Sequence, residues 1–487
     1  MRDLKVEPAW ESKDLGLPLP DSPHACSVCL PTWDSVVGYE EARDKVLRKL
    51  RSGYPRFFTY PSVKALNEEA ERLIGHPGER VVVFPSREVA QRVQRFVEKN
   101  LGSASRIASF EGLQALAFPE DALETVMSYW RFSGEILSSR AAEDILEHRE
   151  AGELGSLHSF LAELFACDSE HLFLYETGMA ALFSLHQVIT RMFSGRKTLQ
   201  LDFPYVDTLK VQESFGSGVV FLPECRGENL EEALDRLRKG EFAAAFCELP
   251  SNPLLYSVNL EQVSDAARAG RVPLFIDDTV CTHLNVDVMP YADVVSTSLT
   301  KWISGKGNVM GGALRINPDS PHFAGIYAGL LESNPTMSRV YPADSRILRS
   351  NAEGFFERMS QVNRNGEMLA EYLEEHPAVA KVWYPKLVSK ENYDLVRTKE
   401  GGYGGLVSFR LRNEKRASKV YDALAWNKGP SLGTEFSLAC PYTLLAHYDE
   451  IEWAEGCGVS ANLIRLSAGV EDPELLLGAL AKALENA

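Results

Sequence analysis

The stretch Pro273-Leu-Phe-Ile-Asp-Asp-Thr279, followed by Asp293-Val-Val-Ser-Thr-Ser-Leu-Thr-Lys301, decides the fold. Each half contains a short apolar run and ends in polar side chains. Such runs, when turns and helix-like segments follow them, predict strands that are buried on both faces of a parallel sheet. Asp277 and Lys301 would then lie just beyond the ends of two of these strands.

The same alternation of apolar runs and helix-like segments extends along much of the chain. Predicted strands lie at residues 81–84, 172–174, 218–222, 243–246, 273–276 and 293–296. This order predicts an α/β fold in which helices cover a mostly parallel sheet. Ligands bind at the carboxyl ends of the strands in such sheets, so we expect the polar residues that follow these strands to converge.

The chain of 487 residues exceeds what one hydrophobic core usually supports, so we predict several parts. Residues 1–60 are predicted to form an N-terminal arm with one short helix, Gly38–Leu50. Residues 61–340 would form a large domain and residues 341–487 a smaller C-terminal α+β domain. The small domain is expected to begin with a long helical stretch, Ser345–His376, followed by three strands.

Composition narrows the class of protein. The formal net charge of −17 disfavours nucleic acid and anionic membranes as partners, and no apolar run approaches the length of about twenty residues that a membrane helix requires. Eight scattered cysteines without a preceding leader favour a soluble protein of the reducing cytoplasm. Cys26 and Cys29 form an isolated C-x-x-C, for which we expect packing rather than metal or redox chemistry, and we expect no metal.

Lys301 and its neighbours indicate a cofactor. An amine beside hydroxyls and downstream of a strand-end carboxylate is what a pyridoxal phosphate enzyme needs. Lys301 would form a Schiff base with the cofactor aldehyde, and Ser298 and Thr300 would meet its phosphate. Asp277 would keep the ring nitrogen protonated. The competing interpretations are a surface lysine and a helix-capping carboxylate.

Two further turns are expected to reach the same cleft. Tyr175-Glu-Thr-Gly-Met179 indicates a glycine turn that opens a helix, and the backbone N–H groups of Gly178 and Met179 would then face a phosphate. The turn Glu248-Leu-Pro-Ser-Asn-Pro253 follows a predicted strand and would direct Asn252 at a phenolic oxygen. An ordinary Asn-Pro turn is the alternative.

These pieces resemble, in order and wording, the Cys/Met-metabolism family of pyridoxal phosphate enzymes, which includes the cystathionine synthases and lyases. The resemblance covers roughly residues 40–66 and 170–487. It is closest to the longer, fungal-type cystathionine γ-synthase branch. The matching motifs are Tyr54-Pro-Arg56, Gly178-Met179, Glu248 to Pro253, Asp277-Asp-Thr279, Ser298-Leu-Thr-Lys301, Ser431-Leu-Gly433 and Arg465-Leu-Ser-Ala-Gly469.

The resemblance implies a fold-type I transferase and assigns roles to cofactor and substrate residues. Tyr205 would stack on the cofactor ring and move protons, with a core aromatic residue as the alternative. Thr279 would belong to the cofactor site. Arg465 would bind the substrate α-carboxylate through its planar fork, with a structural ion pair as its rival, and Ser431 would support the same region.

The resemblance also implies an oligomer. Tyr54 and Arg56 resemble residues that reach across a subunit interface to the neighbouring cofactor phosphate. We therefore expect a homodimer or homotetramer whose active sites are shared between subunits.

Three departures from the family pattern stand out. A segment of about residues 79–158 is inserted, for which we favour a packing or interface extension over a regulatory module. Glu435 follows Ser431-Leu-Gly433 one position earlier than the specificity glutamate of ordinary members. Lys306 replaces part of a family Gly-His-Ser-Asp run, and we favour a solvated side chain there over an anion contact.

The resemblance implies a γ-replacement on an O-acylated homoserine by a thiol, as in trans-sulfuration, with Lys301 moving the protons. Three alternatives stay open. One is a γ- or β-lyase, and another is a γ-substitution with a different nucleophile. A non-catalytic scaffold is disfavoured, because Lys301, Asp277, Tyr205 and Arg465 are all retained. The sequence chooses neither the acyl group nor the nucleophile.

Overall fold

The computed structural model describes residues 2–153 and 155–487. The N-terminal arm, residues 2–60, contains two short helices instead of the single predicted helix Gly38–Leu50. The break follows from the backbone of Ala42, whose φ of 52° no α-helix accommodates. The two helices are α1 (Trp33–Glu40) and α2 (Asp44–Leu47).

A subdomain of residues 61–146, here called the N-terminal subdomain, carries a three-stranded antiparallel sheet of order β1-β3-β2. The predicted strand at 81–84 therefore lies in this separate sheet and not in the main one. Its apolar core continues into helix α8 of the main domain through Met179, Leu182 and Phe183. The elements are α3 (Pro61–Ile74), β1 (Glu79–Phe84), α4 (Arg87–Leu101), β2 (Arg106–Phe110), β3 (Leu113–Pro119), α5 (Leu123–Ser133) and α6 (Ser139–Leu146).

The main sheet has seven strands in the order β4-β10-β9-β8-β7-β5-β6, of which β10 alone runs antiparallel to its neighbours. The carboxyl ends of the other six strands therefore share one edge. The elements are α7 (Leu157–Leu164), β4 (Leu172–Tyr175), α8 (Gly178–Met192), β5 (Thr198–Leu201), α9 (Val206–Ser214), β6 (Val219–Leu222), α10 (Gly227–Arg238), β7 (Ala245–Glu248), α11 (Leu260–Gly270), β8 (Leu274–Asp277), α12 (Thr282–Asn285), β9 (Val294–Ser298), β10 (Gly312–Ile316) and α13 (Phe323–Ser333).

The C-terminal part forms a five-stranded sheet of order β11-β12-β15-β14-β13, parallel only between β13 and β14. The long predicted helix is divided at Gly354, whose φ is 70°. The elements are α14 (Pro342–Asn351), α15 (Phe355–Glu375), β11 (Val379–Trp383), α16 (Pro385–Val388), α17 (Lys390–Asp394), β12 (Leu406–Leu411), α18 (Ala417–Ala423), β13 (Asn427–Lys428), β14 (Leu438–Pro441), α19 (Tyr442–Ala446), α20 (Ile451–Gly456), β15 (Ile464–Ser467) and α21 (Pro473–Leu484).

The arm docks on the rest of its own chain. The backbone N–H of Ala9 donates to the Asn427 side chain at 2.8 Å, and that of Leu30 donates to the Lys428 carbonyl at 2.9 Å. The Lys428 ammonium, fully buried, donates to carbonyl oxygens of the arm and of α18, including that of Pro31 at 2.9 Å. These bonds hold the arm against the small domain and carry residues 52–60 to the edge of the main sheet.

The cysteine pair near the N-terminus is buried, and the described helices do not meet the requirements for crossing a membrane. Cys26 and Cys29 are both buried as free thiols, with their sulfur atoms near the carbonyl oxygens of His24 and Ala9. Across residues 2–153 and 155–487, no helix combines the length and the apolar character needed to cross a bilayer.

Candidate active site

A cavity of about 580 Å³ opens at the carboxyl edge of the main sheet, where the arm and the small domain also meet. Its volume is in the range of ligand pockets, about 300–1,000 Å³. All but two of the site residues predicted from the sequence line it. They are Tyr54, Arg56, Gly178, Met179, Tyr205, Asn252, Asp277, Thr279, Ser298, Lys301 and Arg465.

Lys301 lies in a single helical turn, Leu299–Ile303, directly after β9. Its own backbone angles (φ −87°, ψ −125°) leave the helical region, and this kink breaks the turn at the lysine. The Nζ atom donates to the Ser431 hydroxyl at 3.1 Å and lies 4.4 Å from the centre of the Tyr54 ring. Ser431, one of the two predicted residues outside the cavity lining, is thus placed behind the lysine amine.

Asp277 ends strand β8 and faces the cavity. One carboxylate oxygen accepts from the Thr279 backbone N–H and the other from the Ser296 hydroxyl, each at 2.8 Å. Thr279 in turn accepts from the backbone N–H of Ser298 at 2.8 Å, which ties β8 to β9. No cation pairs with Asp277 among the described residues, so the cavity contains a buried carboxylate ready for a cationic partner.

Helix α8 begins at Gly178, and its first turn opens into the cavity. The Thr177 hydroxyl caps the helix through the Ala180 N–H at 2.9 Å, leaving the N–H groups of Gly178 and Met179 for an anion. A Cβ atom on Gly178 would lie 3.0 Å from the Ser298 Cβ, so glycine keeps this cradle open. The predicted phosphate cradle is therefore geometrically present.

Thr300 is the second predicted site residue that lies outside the cavity lining. Its hydroxyl is buried and accepts from the Gly311 backbone N–H at 3.1 Å. The kink at Lys301 turns the preceding side chain toward β10, so Thr300 braces the lysine turn. That Thr300 also meets the cofactor phosphate stays a prediction.

Tyr54 and Arg56 lie in the cavity of their own chain. The Arg56 guanidinium donates to the Tyr205 hydroxyl and to the Asp207 carboxylate, each at 2.5 Å. Burial raises the pKa of the Tyr205 phenol, and the charge of Arg56 acts in the opposite direction. In this structure the docked arm brings both residues to the cavity of its own chain, while the role in a neighbouring subunit that the resemblance implies stays a prediction.

This placement predicts the outcome of a subunit-mixing experiment. Chains carrying Lys301→Ala and chains carrying Arg56→Ala, co-expressed with two tags and purified through both, should stay inactive together. The reason is that each chain supplies both residues to its own cavity. Turnover by the mixed oligomer, measured against the two single variants, would instead show that sites are shared. Absence of any mixed oligomer would agree with self-contained chains.

Arg465 lies on β15 and reaches the cavity from the small domain. One guanidinium nitrogen donates to the Asn252 side-chain oxygen at 3.1 Å, and another donates to the carbonyl oxygens of Pro430 and Ser431 at 3.1 and 3.3 Å. Asn252 therefore orients the arginine, and its contact with a phenolic oxygen stays a prediction. No carboxylate of the described residues pairs with Arg465, so its charge is available to a ligand.

Several functional positions escaped the sequence reasoning. The buried carboxyl of Glu248 accepts from the backbone N–H groups of Tyr205 and Asn252 at 2.6 and 3.2 Å, and so joins two site loops. Its pKa lies well above the ordinary value because of burial and the nearby Asp277 charge. Glu40, Arg131 and Tyr442 also line the cavity. Their positions depend on long-range docking, for which a single sequence carries no signal.

Glu435 and Lys306, two of the departures from the family pattern, pair with each other in the structure. Glu435 lies outside the cavity lining and pairs with Lys306 at 2.5 Å and with Lys5 of the arm at 3.7 Å. Lys306 is therefore part of a partly exposed ion pair and not simply a solvated side chain. Neither residue is placed to contact a substrate bound beside Lys301.

A lysine amine, a buried carboxylate and a helix-terminal anion cradle at the carboxyl edge of this α/β sheet define a pyridoxal phosphate-dependent enzyme of fold type I. The chain belongs to the Cys/Met metabolism PLP-dependent enzyme family, whose model matches residues 155–485. A second model, the N-terminal domain of fungal trans-sulfuration enzymes, matches residues 62–138 and accounts for most of the inserted segment.

Known proteins resemble the chain over nearly its full length. It is 32% identical to the cystathionine gamma-synthase-like enzyme iboG2 of Amanita muscaria, covering 96% of each chain. It is 30% identical to the cystathionine gamma-synthase of Neurospora crassa, covering 97% of this chain and 98% of that one. An L-2-amino-4-chloropent-4-enoate dechlorinase/desaturase of Streptantibioticus cattleyicolor is 31% identical, with 96% and 98% covered.

The fold agrees with solved structures of the same class. Cystathionine gamma synthase from Xanthomonas oryzae pv. oryzae in complex with cystathionine matches with a TM-score of 0.59 and 24% identity, over 69% of this chain and 86% of that chain. The predicted fold class, family and cofactor are thereby confirmed.

The residues present fit the cofactor. The helix-terminal N–H groups of Gly178 and Met179, with Ser298, would hold the phosphate, and Asp277 would hold the ring nitrogen. Lys301 is the amine within the same cavity. These roles follow from the donor set and remain predictions at the level of single residues.

The buried carboxylate predicts a pH-dependent affinity for the cofactor. Burial raises the pKa of Asp277 to about 6, although its hydrogen bonds with Thr279 lower it. In the apoenzyme the carboxyl is therefore protonated below about pH 6 and must lose its proton to pair with a cationic ring. We expect affinity to rise with pH by up to about tenfold per unit below pH 6, and to level above it.

The measurement is a titration of apoenzyme with pyridoxal phosphate between pH 5 and 8. Asp277→Asn should bind more weakly and lack the rise, because its amide does not titrate. The difference between the two profiles isolates Asp277 from the titration of the cofactor itself. Parallel profiles would contradict the assignment.

Proposed function

We propose that the enzyme exchanges the acyloxy group at Cγ of an O-acylated homoserine for a thiol, giving a thioether amino acid. Similarity over nearly the whole chain to fungal cystathionine gamma-synthases supports this reaction. The geometry adds a lysine amine and an unpaired arginine in one cavity, which suits an amino-acid substrate with chemistry along its side chain. Neither the similarity nor the geometry selects the acyl group that leaves.

The observation that carries the proposal is the freedom of the Lys301 amine. Within the described residues its only hydrogen-bond partner is the neutral Ser431 hydroxyl. A replacement at Cγ requires protons to be moved first at Cα and then at Cβ, so one base must serve several carbon atoms. A lysine held by a carboxylate would be fixed and charged, whereas this one can turn about its long side chain.

When bound, pyridoxal phosphate accepts the electron pair released from the substrate Cα–H bond. Asp277 would hold a proton on the ring nitrogen, and Lys301 would take and return protons through Nζ. Arg465 binds the substrate carboxylate and thereby sets which bonds face the lysine. The Tyr205 hydroxyl, hydrogen-bonded to Arg56, is a second group that can hold a proton in the cavity.

An elimination is the second candidate, favoured by the relative named as a dechlorinase/desaturase. In a lyase, water rather than a thiol would complete the reaction and release an oxo acid and ammonia. Substitution by a carbon or nitrogen nucleophile would use the same residues.

The test is to incubate the holoenzyme with O-acetyl-, O-succinyl- and O-phospho-homoserine, with and without cysteine, and to identify products by mass. We expect a thioether that requires both substrates and that Lys301→Ala fails to form. Oxo acid and ammonia released at the same rate without thiol would establish a lyase. A product formed from an added amine or carbon acid, but never from cysteine, would reject the thiol.

A further inference from the structure

One part of the cavity lining, here called the mouth, comes from segments outside the family match at residues 155–485. Glu40, the last residue of α1, and Arg131, near the end of α5, both line it. In the part of the chain that the structure describes, neither side chain makes a hydrogen bond, and the two form no ion pair with each other. A carboxyl and a guanidinium thus line one cavity, and both have hydrogen-bonding groups available to a ligand.

Arg131 is held in position without using its outer N–H groups. Its guanidinium lies 4.3 Å from the centre of the Phe57 ring. Its Nε atom is 3.8 Å from the Asp207 carboxylate, which is already paired with Arg56 at 2.5 Å. The outer N–H groups of the guanidinium remain available to a carboxylate, which their planar fork binds bidentately.

Glu40 is half-buried in the lining of the same cavity. Burial raises the pKa of its carboxyl to about 8, the Arg131 charge acts in the opposite direction, and Asp449 adds to the increase. An ammonium group beside Glu40 would favour the charged carboxylate and offset its burial. Because Glu40 lines the cavity without a hydrogen bond or ion pair among the described residues, it is placed to pair with a cationic group of a ligand.

A row of contacts connects this mouth with the reacting amine. Arg131 lies on Phe57, and the Arg56 guanidinium lies 5.2 Å from the Phe57 ring centre and 5.4 Å from that of Tyr54. The Lys301 amine lies 4.4 Å from the centre of the Tyr54 ring. A ligand whose charged end occupies the mouth can therefore direct its other end toward Lys301.

We propose that Glu40 and Arg131 form the subsite for the second substrate and bind its α-ammonium and α-carboxylate groups. The inference rests on the proposed function and deepens it, because it assigns the thiol to the class of amino acids. Sulfide or an uncharged thiol would contact neither residue. The arm and the N-terminal subdomain would thus select the nucleophile, while the family domain performs the chemistry.

The test uses three thiols that differ only in the charged groups next to the reacting chain. Cysteine has both groups, cysteamine lacks the carboxylate, and 3-mercaptopropanoate lacks the ammonium. Glu40→Gln should lower kcat/KM about tenfold or more for cysteine and cysteamine but not for 3-mercaptopropanoate. Arg131→Gln should lower it similarly for cysteine and 3-mercaptopropanoate but not for cysteamine.

Asp34→Asn is the matched control, because it neutralises an exposed carboxylate on the same helix α1, outside the cavity. It should leave kcat/KM unchanged for all three thiols. All variants should keep the wild-type absorbance and thermal unfolding. Equal losses for all thiols, or none, would reject the subsite while the replacement reaction stands. If the wild-type enzyme uses no thiol at all, the proposed function is rejected, and with it the proposal that an amino-acid thiol binds at Glu40 and Arg131.

Discussion

Lys301→Ala should lower turnover by at least about 10³-fold, because one amine supplies the proton transfers at both carbon atoms. The variant should nevertheless bind pyridoxal phosphate, now without a covalent bond. The Gly178 end of α8 and the Asp277 carboxylate remain in place. Steady-state kinetics together with the absorbance of the dialysed protein measure both effects.

Lys306→Ala is the matched control for this prediction. Lys306 lies five residues further along, is partly exposed, and pairs with Glu435 outside the cavity lining. It should keep turnover within about twofold of wild type, since surface ion pairs contribute little. Retained turnover in Lys301→Ala, or an equal loss in both variants, would remove Lys301 from its assigned role.

Arg465→Ala should lower kcat/KM for the amino-acid substrate by about 10²–10³-fold. Two charge-assisted hydrogen bonds to a carboxylate contribute together about 3–4 kcal/mol, which corresponds to that factor. The effect should appear chiefly as a higher KM. The Asn252 amide and the carbonyl oxygen of Pro430 would lose a donor as well, so thermal unfolding should be measured beside the kinetics.

Arg465→Lys distinguishes charge from geometry. The lysine keeps the positive charge but has no planar fork, so we expect it to recover only part of the loss. An amino-alcohol analogue of the substrate, which lacks the carboxylate, should respond little to either variant. Equal loss for the acid and the alcohol would mean that Arg465 acts by supporting Asn252 and not by binding the carboxylate.

The main sheet and the centre of the site could be predicted because each signal is local. Asp277, Lys301 and Gly178 each follow an apolar strand, and parallel strands place such positions at one edge of the sheet. Their residue types then limit the chemistry to an amine, a carboxylate and an anion cradle. No long-range contact had to be guessed.

What could not be predicted depends on docking between distant segments. Tyr54 and Arg56 were expected to serve a partner subunit, and their place in the cavity of their own chain was not, because it follows from an arm fixed to its own small domain at Asn427 and Lys428. The inserted segment gave no sign that its core joins that of helix α8, or that Arg131 reaches the cavity. Such contacts join residues that lie tens to hundreds of positions apart in the chain.

Local backbone geometry accounts for the remaining differences. The helix predicted over Gly38–Leu50 stops at Glu40 because Ala42 adopts a positive φ. Thr300 was expected at the phosphate, and the kink at Lys301 also directs its hydroxyl to Gly311. Neither conformation is required by the residue type, so the sequence carried no warning of it.

The most direct test of the account is to trap the bond between the cofactor and the enzyme. Holoenzyme treated with borohydride, digested and mapped by mass should carry a pyridoxyl group on the peptide that contains Lys301 and on no other. Lys301→Ala, treated in the same way, should carry none. A colourless protein that takes up no added pyridoxal phosphate, or an adduct on a different lysine, would contradict the account.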